Sequence, residues 1–217
     1  MATSKASAQA LDEAVQAAQN ETVNRYEHGF RQLHLAKLTA DGTSSTAPTY
    51  DTPVAISGEV KLSLSDGSSA TEVYAGDGLY ESIDGPAAFT GTLDVYGDLP
   101  AELEQWVMGH SVDANGSIGL KEGTARKPFA LLAQVQGSDE PVDLVLYKVK
   151  VTKENDIAPE TDTDKPVVNA HSYAIIGYYQ NFSGARWYYS RVKASTSPKS
   201  FEAFFTKVYD PTTKAEA

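Results

Sequence analysis

The 217-residue chain contains no cysteine. That excludes a disulfide scaffold, Cys-ligated zinc and thiol catalysis together. No apolar run approaches the roughly 20 residues that a membrane-spanning helix needs. Histidine occurs four times, and His28, His34, His110 and His171 are dispersed, without HExxH or HxH spacing. Such histidines are expected to be structural rather than metal ligands. Excess positive charge is missing too. The formal net charge is -11, whereas a protein that grips phosphates presents a basic patch. The segment Gly109-His110-Ser111 is not a nucleophile elbow, and the Gly76-Asp77-Gly78 turn lacks the rest of a phosphate-binding loop. DANGSIGLKEGT begins like a calcium loop at Asp113 and Asn115. Its sixth and twelfth positions are Ile118 and Thr124, where an EF-hand needs Gly and Glu.

What is present is an ordinary globular mixture, 41% hydrophobic and 22% charged, enough for one large β domain with arms. The N-terminal stretch lacks the apolar core of a signal peptide, so a soluble protein made and kept in a cytoplasm, or released by lysis, is expected. The charge is uneven. Residues 29–112 hold 12 acids and 3 bases, a net -9, whereas residues 169–217 hold 3 acids and 6 bases, a net +3. This imbalance serves solubility; it also lets acidic and basic ends meet when identical copies associate.

Residues 1–28 form an Ala- and Gln-rich arm. Ser7 is a helix cap candidate, and Leu11, Val15, Ala18 and Thr22 recur at helical spacing. The body, 29–210, changes texture. FRQLHLAKL alternates. GEVKLSLSDG puts Val60, Leu62 and Leu64 on one face and Glu59, Lys61 and Ser63 on the other. FTGTLDV separates Phe89, Gly91, Leu93 and Val95 from Thr90, Thr92 and Asp94. The glycine-punctuated residues 66–86 are expected to be mostly turns. PFALLAQVQGSDEPVDLVLYKVKV predicts a hairpin. TKENDIAPETDTDKP, 152–166, is an acidic loop beyond usual hairpin lengths. VNAHSYAIIGYYQ and RWYYSRVK, joined through NFSGA, predict an aromatic hairpin. SFEAFFTKVYD supplies a strand-like apolar piece, and 211–217 a flexible polar end. Eight to ten strands with regular turns predict a mainly β sandwich or barrel.

One helix interrupts them at about 98–108. Asp98 is its N-cap candidate, Pro100 lies in the first turn, and Gly109 stops it. Leu99, Leu103, Trp106 and Val107 form its apolar stripe. Such a helix plugs an open edge or end of a sandwich.

Several segments stand in a telling order: HGFRQLHLAKLTADG with its Ala-Lys-Leu strand; PTYDTPVAISGEVKLSLS; ATEVYAGDGLYES; TLDVYGDLPAELEQWVMGHSVDANG; KPFALLAQVQG; and LVLYKVKVT before the long loop. From about residue 29 to 210 the chain therefore resembles the major tail tube proteins of phages with long non-contractile tails. Residues 1–28 precede the usual start of that family, and Gly76-Asp77-Gly78 stands where the family tends to have two acids.

The resemblance implies a structural virion protein without cofactor, metal or catalytic residues, placed in the tail and assembled in a bacterial host cytoplasm. It implies a β-sandwich that forms stacked hexameric rings around a tape-measure protein. A tail terminator and tail-tip proteins would be further partners, and DNA a non-specific passing cargo. Glu59, Lys61, Ser63, Thr90, Thr92 and Asp94 are then candidates to face the lumen, expected to be acidic. Lys153, Glu154, Asp156, Ile157, Pro159, Asp162 and Asp164 are candidates for the ring–ring interface, and the N-terminal arm is expected to reach a neighbour as well. Three other readings stay in view. One is a monomeric sandwich that binds carbohydrate or a cell surface through its aromatic segment. The others are the tube protein of a contractile tail or type VI secretion system, and a glycoside hydrolase with two acids brought together by the fold.

Overall fold

The computed structural model describes residues 27–67, 70–75, 78–84, 89–137, 140–154 and 170–213. The chain is mainly β and sandwich-like, as its sequence predicts. The long strand β1 (Glu27–Ala40) pairs antiparallel with β10 (Phe129–Gly137) along most of its length. Short strands β2 (Thr49–Tyr50) and β3 (Val54–Ala55) edge its other side. β4 (Glu59–Asp66) pairs with β7 (Phe89–Val95), β7 with β12 (His171–Tyr178), and β12 with β11 (Val142–Glu154).

The 13-residue β11 is the hinge of the design. One of its edges meets β10 from Val142 to Val149. Its other edge is shared. Val142–Leu146 pairs with β15 (Tyr189–Lys193), and Lys148–Glu154 pairs with β12. The sheet therefore folds over on itself, with β1, β10 and β15 in one layer and β4, β7 and β12 in the other. Two bulges help it bend: register shifts in β1 fall around Gly29 and Gln32, whose φ angles are 73° and 55°.

Between the layers lies the main core. Leu33 and Leu35 of β1, Phe129 and Leu131 of β10, Leu144 and Leu146 of β11, Leu93 and Val95 of β7, and Tyr173 and Ile175 of β12 meet there. The opposite face of β1, β10 and β11 is buried as well. Ala36, Ala130, Leu132, Val145 and Tyr147 on that face pack with Phe182, Val192 and Phe204. Residues covered on both sides make a nearly continuous apolar run, which is why FALLAQ has no alternation.

The covering layer is the C-terminal segment. Sequence alone suggested a strand there; the chain instead forms the short helix α2 (Pro198–Glu202) and successive turns. Phe201, Phe204, Phe205, Val208 and Tyr209 supply its apolar side. Their spacing of i, i+3, i+4, i+7 and i+8 is helical, not strand-like.

Helix α1 (Ala101–Met108) starts three residues later than expected. Pro100 occupies the N-cap, and no side chain caps the helix. Asp98 is not the cap: its Oδ1 lies 3.6 Å from His171 Nε2 at the start of β12. Gly109 ends the helix with φ 71°, a left-handed conformation that suits glycine. Leu103, Val107 and Met108 are buried in the main core, as is Leu99 just before the helix. Half-buried Trp106 donates from Nε1 to the Pro128 carbonyl at 2.8 Å, and Lys127 Nζ stands 4.3 Å from its ring centre. The helix thus closes the end of the sandwich where β1 ends, β10 begins and β11 ends.

Residues 66–86 are not mostly turns. β5 (Ala70–Ala75) and β6 (Gly78–Asp84) pair as a two-stranded ribbon between β4 and β7. The expected aromatic hairpin is also different. β12 does not pair with β15. Only β13 (Gln180–Phe182) and β14 (Ala185–Trp187) form a hairpin, across a two-residue turn with φ 50° at Ser183 and 96° at Gly184.

Candidate assembly surfaces

The uncovered face of the second layer collects most of the residues singled out for a lumen. In β4–β7 pairing, Lys61 stands opposite Asp94, Ser63 opposite Thr92 and Ser65 opposite Thr90. In β7–β12 pairing, Thr90, Thr92 and Asp94 stand opposite Ile176, Ala174 and Ser172. Directly opposed residues share a face, so Lys61, Ser63, Thr90, Thr92 and Asp94 lie together. Lys148, Lys150 and Lys153 extend that face onto β11 through partners Tyr178, Ile176 and Ala174. Glu59 leaves the set. A register shift separates it from Lys61, and its Oε1 accepts the Gln32 N–H at 3.1 Å.

The acidic lining expected here is not found. Lys61, Lys150 and Lys153 accompany Asp94 on this face, and Lys148 Nζ binds Asp41 Oδ1 at 2.6 Å. Of the twelve acids in 29–112, only Glu59, Asp66 and Asp94 belong to β4 and β7. The rest fall in the β5–β6 ribbon, in α1 and in connecting segments, so regional net charge does not predict the charge of one face. Asp94 Oδ1 is enclosed without a hydrogen-bond partner.

Among the described residues this four-stranded layer has two unpaired borders. β4 pairs with β7 alone among the described strands. On β11, strand pairing toward β10 stops at Val149, and the Arg126 guanidinium donates to the Thr152 carbonyl beyond it. Lys153 and Glu154, expected in the long loop, are the last residues of β11. Asp156, Ile157, Pro159, Asp162 and Asp164 lie outside the described residues, as do residues 1–26 of the arm.

Two further apolar surfaces are exposed, and the first of them escaped the sequence reading. One is the ribbon of β8 (His110–Val112) and β9 (Ile118–Leu120), turned at Asp113–Ser117, where Asp113 Oδ1 accepts the N–H groups of Asn115 and Ser117. Val112, Ile118 and Leu120 are exposed on it. The other is aromatic: Tyr178, Tyr179, Trp187 and Tyr189 are 38 to 52% exposed. Arg186 lies 4.7 Å over the Tyr179 ring, and Tyr188 meets that ring edge-on.

Other polar groups are buried on the side of the sheet away from the main core. Asp143 is fully buried on the face covered by the C-terminal segment, accepting from Gln134 Nε2 at 2.9 Å. Burial pushes its carboxyl up to about 6, and the Gln134 bond only partly offsets this. Tyr50 and Tyr147 hydroxyls are pushed well above their ordinary range by burial. They donate to the Tyr147 carbonyl and to Ser190 Oγ respectively. Among the described residues no three acids or histidines gather as metal ligands. No family model matches the chain, and no curated protein matches its sequence.

Proposed function

We propose that the chain is a structural subunit that joins copies of itself into rings and stacks those rings into a tube, the phage tail tube that its sequence resembles. The observation that carries the reading is the four-stranded layer β4–β7–β12–β11, polar on its uncovered face and unpaired at both borders. A sheet with two open edges can be continued by neighbours on either side. An interface between unlike edges is heterologous, and it closes into a ring when the rotation fits. Six copies of four strands would make a barrel of about 24 strands, wide enough to leave an aqueous channel. The segment that follows Glu154 would then reach the adjoining ring, consistent with long insertions that carry function. Tape-measure, terminator and tip proteins would be its partners. DNA passing the lysines and hydroxyls of this face would feel a salt-dependent attraction.

A second reading has its own observation. The exposed Tyr178, Tyr179, Trp187 and Tyr189 suit stacking against a sugar ring or a surface, as in a monomeric binding module. The experiment that separates the two is light scattering coupled to size exclusion over a concentration series, with negative-stain images of each peak. Rings or striated tubes are expected, alone or with tape-measure and tip proteins from the same source. A strict monomer that also fails to join those proteins overturns the tube reading and favours the module.

A further inference from the structure

Among the described residues, the main core is closed by a helix at one end only. At the opposite end, where β1 begins, β10 ends and β11 begins, a groove of about 410 Å³ opens onto it. Phe30, Val60, Leu62, Leu64, Val142 and Leu144 line this groove. Val60 and Leu64 remain 41% and 39% exposed, although the alternation of β4 directs them inward. Lys61 and Arg191 are its charged lining residues, with no acid among the lining.

We propose that residues 7–22 of the same chain dock in this groove as an amphipathic helix, sealing the second end of the sandwich as α1 seals the first. Three observations select this occupant. The groove is lined by Gly29 and Phe30, so the preceding chain emerges at its mouth. The six intervening residues, 23–28, span up to about 20 Å when extended, and so short a tether gives an effective concentration on the order of millimolar. The segment carries the apolar stripe Leu11, Val15 and Ala18 at the spacing of a helix-in-groove ligand. It also matches the groove in charge: residues 7–22 hold Asp12, Glu13 and Glu21 and no base. An isolated helix of this length is marginal in water, so the groove and the helix would stabilise each other. This intrachain contact replaces the reach toward a neighbour expected for the arm, and it does not rest on the tube reading.

The absence of cysteine makes the test clean. Leu64→Cys gives the full chain a single thiol in the groove. Its alkylation rate is measured with the native arm and in a full chain that also carries Leu11→Asp and Val15→Asp. The native arm should slow alkylation at least tenfold; equal rates overturn the proposal. Val60→Cys repeats the measurement if Leu64→Cys folds poorly. A photoreactive benzophenone on the same cysteine then identifies the occupant by mass spectrometry. Cross-links to residues 7–22 at monomer mass, independent of concentration, are expected. Cross-links at dimer mass that grow with concentration, or none to residues 7–22, overturn the intrachain contact.

Discussion

Replacing Asp143 by Asn should make the protein less sensitive to pH. Asp143 is fully buried and one carboxylate oxygen, Oδ2, has no hydrogen-bond partner. Burial raises its pKa from the ordinary 3.8 to about 6. The folded state therefore holds this proton more tightly than the unfolded chain. The contribution to stability is greatest below pH ~4, falls as pH rises through the folded pKa, and is fully lost above about pH 6. Moving from 3.8 to about 6, at about 1.36 kcal/mol per tenfold change in proton affinity, the loss is on the order of 3 kcal/mol. Asn cannot titrate, so Asp143→Asn removes this slope.

The assay is urea unfolding of both proteins at fixed ionic strength between pH 4.0 and 7.5, at concentrations that keep the chain monomeric. The amide of Asn brings its own hydrogen-bonding cost, a constant offset of about 1–3 kcal/mol at most. The diagnostic quantity is therefore the change in the stability difference with pH. It should favour the variant progressively, by about 2.4 kcal/mol between pH 4.0 and 7.5, since a small part of the full effect is already present at pH 4. A difference that stays flat would refute the reasoning, because Asp143 would then titrate alike in both states. A difference that grows in favour of the parent would show that the ionised carboxylate has gained a compensating donor.

Three other substitutions test the packing. Gly177→Ala should cost about 1–3 kcal/mol in urea unfolding, because the added Cβ would fall inside the Phe89 ring that lies across the opposed strand; an unchanged midpoint would disprove that contact. Phe204→Ala should cost about 3–5 kcal/mol, since this ring is fully buried between the sheet and the C-terminal turns. Hydrogen exchange should then rise first in residues 198–210, and a uniform rise would contradict a separate covering layer. Trp106→Phe should cost about 1 kcal/mol in thermal unfolding through loss of its bond to Pro128. A much larger loss would mean that the indole matters chiefly as packing volume.

How much of this was legible in the sequence depends on the range over which each signal acts. The inward set Phe89, Leu93 and Val95 and the outward set Thr90, Thr92 and Asp94 follow from period-two alternation, and both sets are found as expected. The stop at Gly109 was legible because cap chemistry is local. The β10–β11 hairpin was legible from its neighbouring segments, but pairing farther along the chain was not. Neighbouring segments suggested a β12–β15 hairpin, but β11 is long enough to hold both strands side by side on one edge. Residues 201–209 carried a helical spacing that went unread because their aromatic content suggested a strand. The β5–β6 ribbon was hidden by the glycines around it, yet Gly67 only precedes β5 and Gly78 opens β6, so neither interrupts a strand. Five of the six residues named together from the alternation, Lys61, Ser63, Thr90, Thr92 and Asp94, do share one face, and Glu59 leaves it at a bulge, which reverses facing without any mark in the residue pattern.

The two borders of the four-stranded layer bear on how association is controlled. Exposed backbone at a sheet edge pairs readily with whatever strand it meets, so proteins guard such edges with charges and bulges. Both guards are here. β4 carries the bulge between Glu59 and Lys61 and the charge of Lys61 itself, and β11 has Arg126 on the Thr152 carbonyl and Lys153 beside it. The guards occupy one end of each strand, leaving Leu62 to Asp66 of β4 in regular register with β7. An incoming strand would therefore find part of an edge ready and part obstructed, and full pairing would require Arg126 to release Thr152. Under the proposed tube reading, joining the layer to its neighbours would then be a conditional step, compatible with a subunit that stays dispersed until an ordered assembly presents the matching edge in the right curvature.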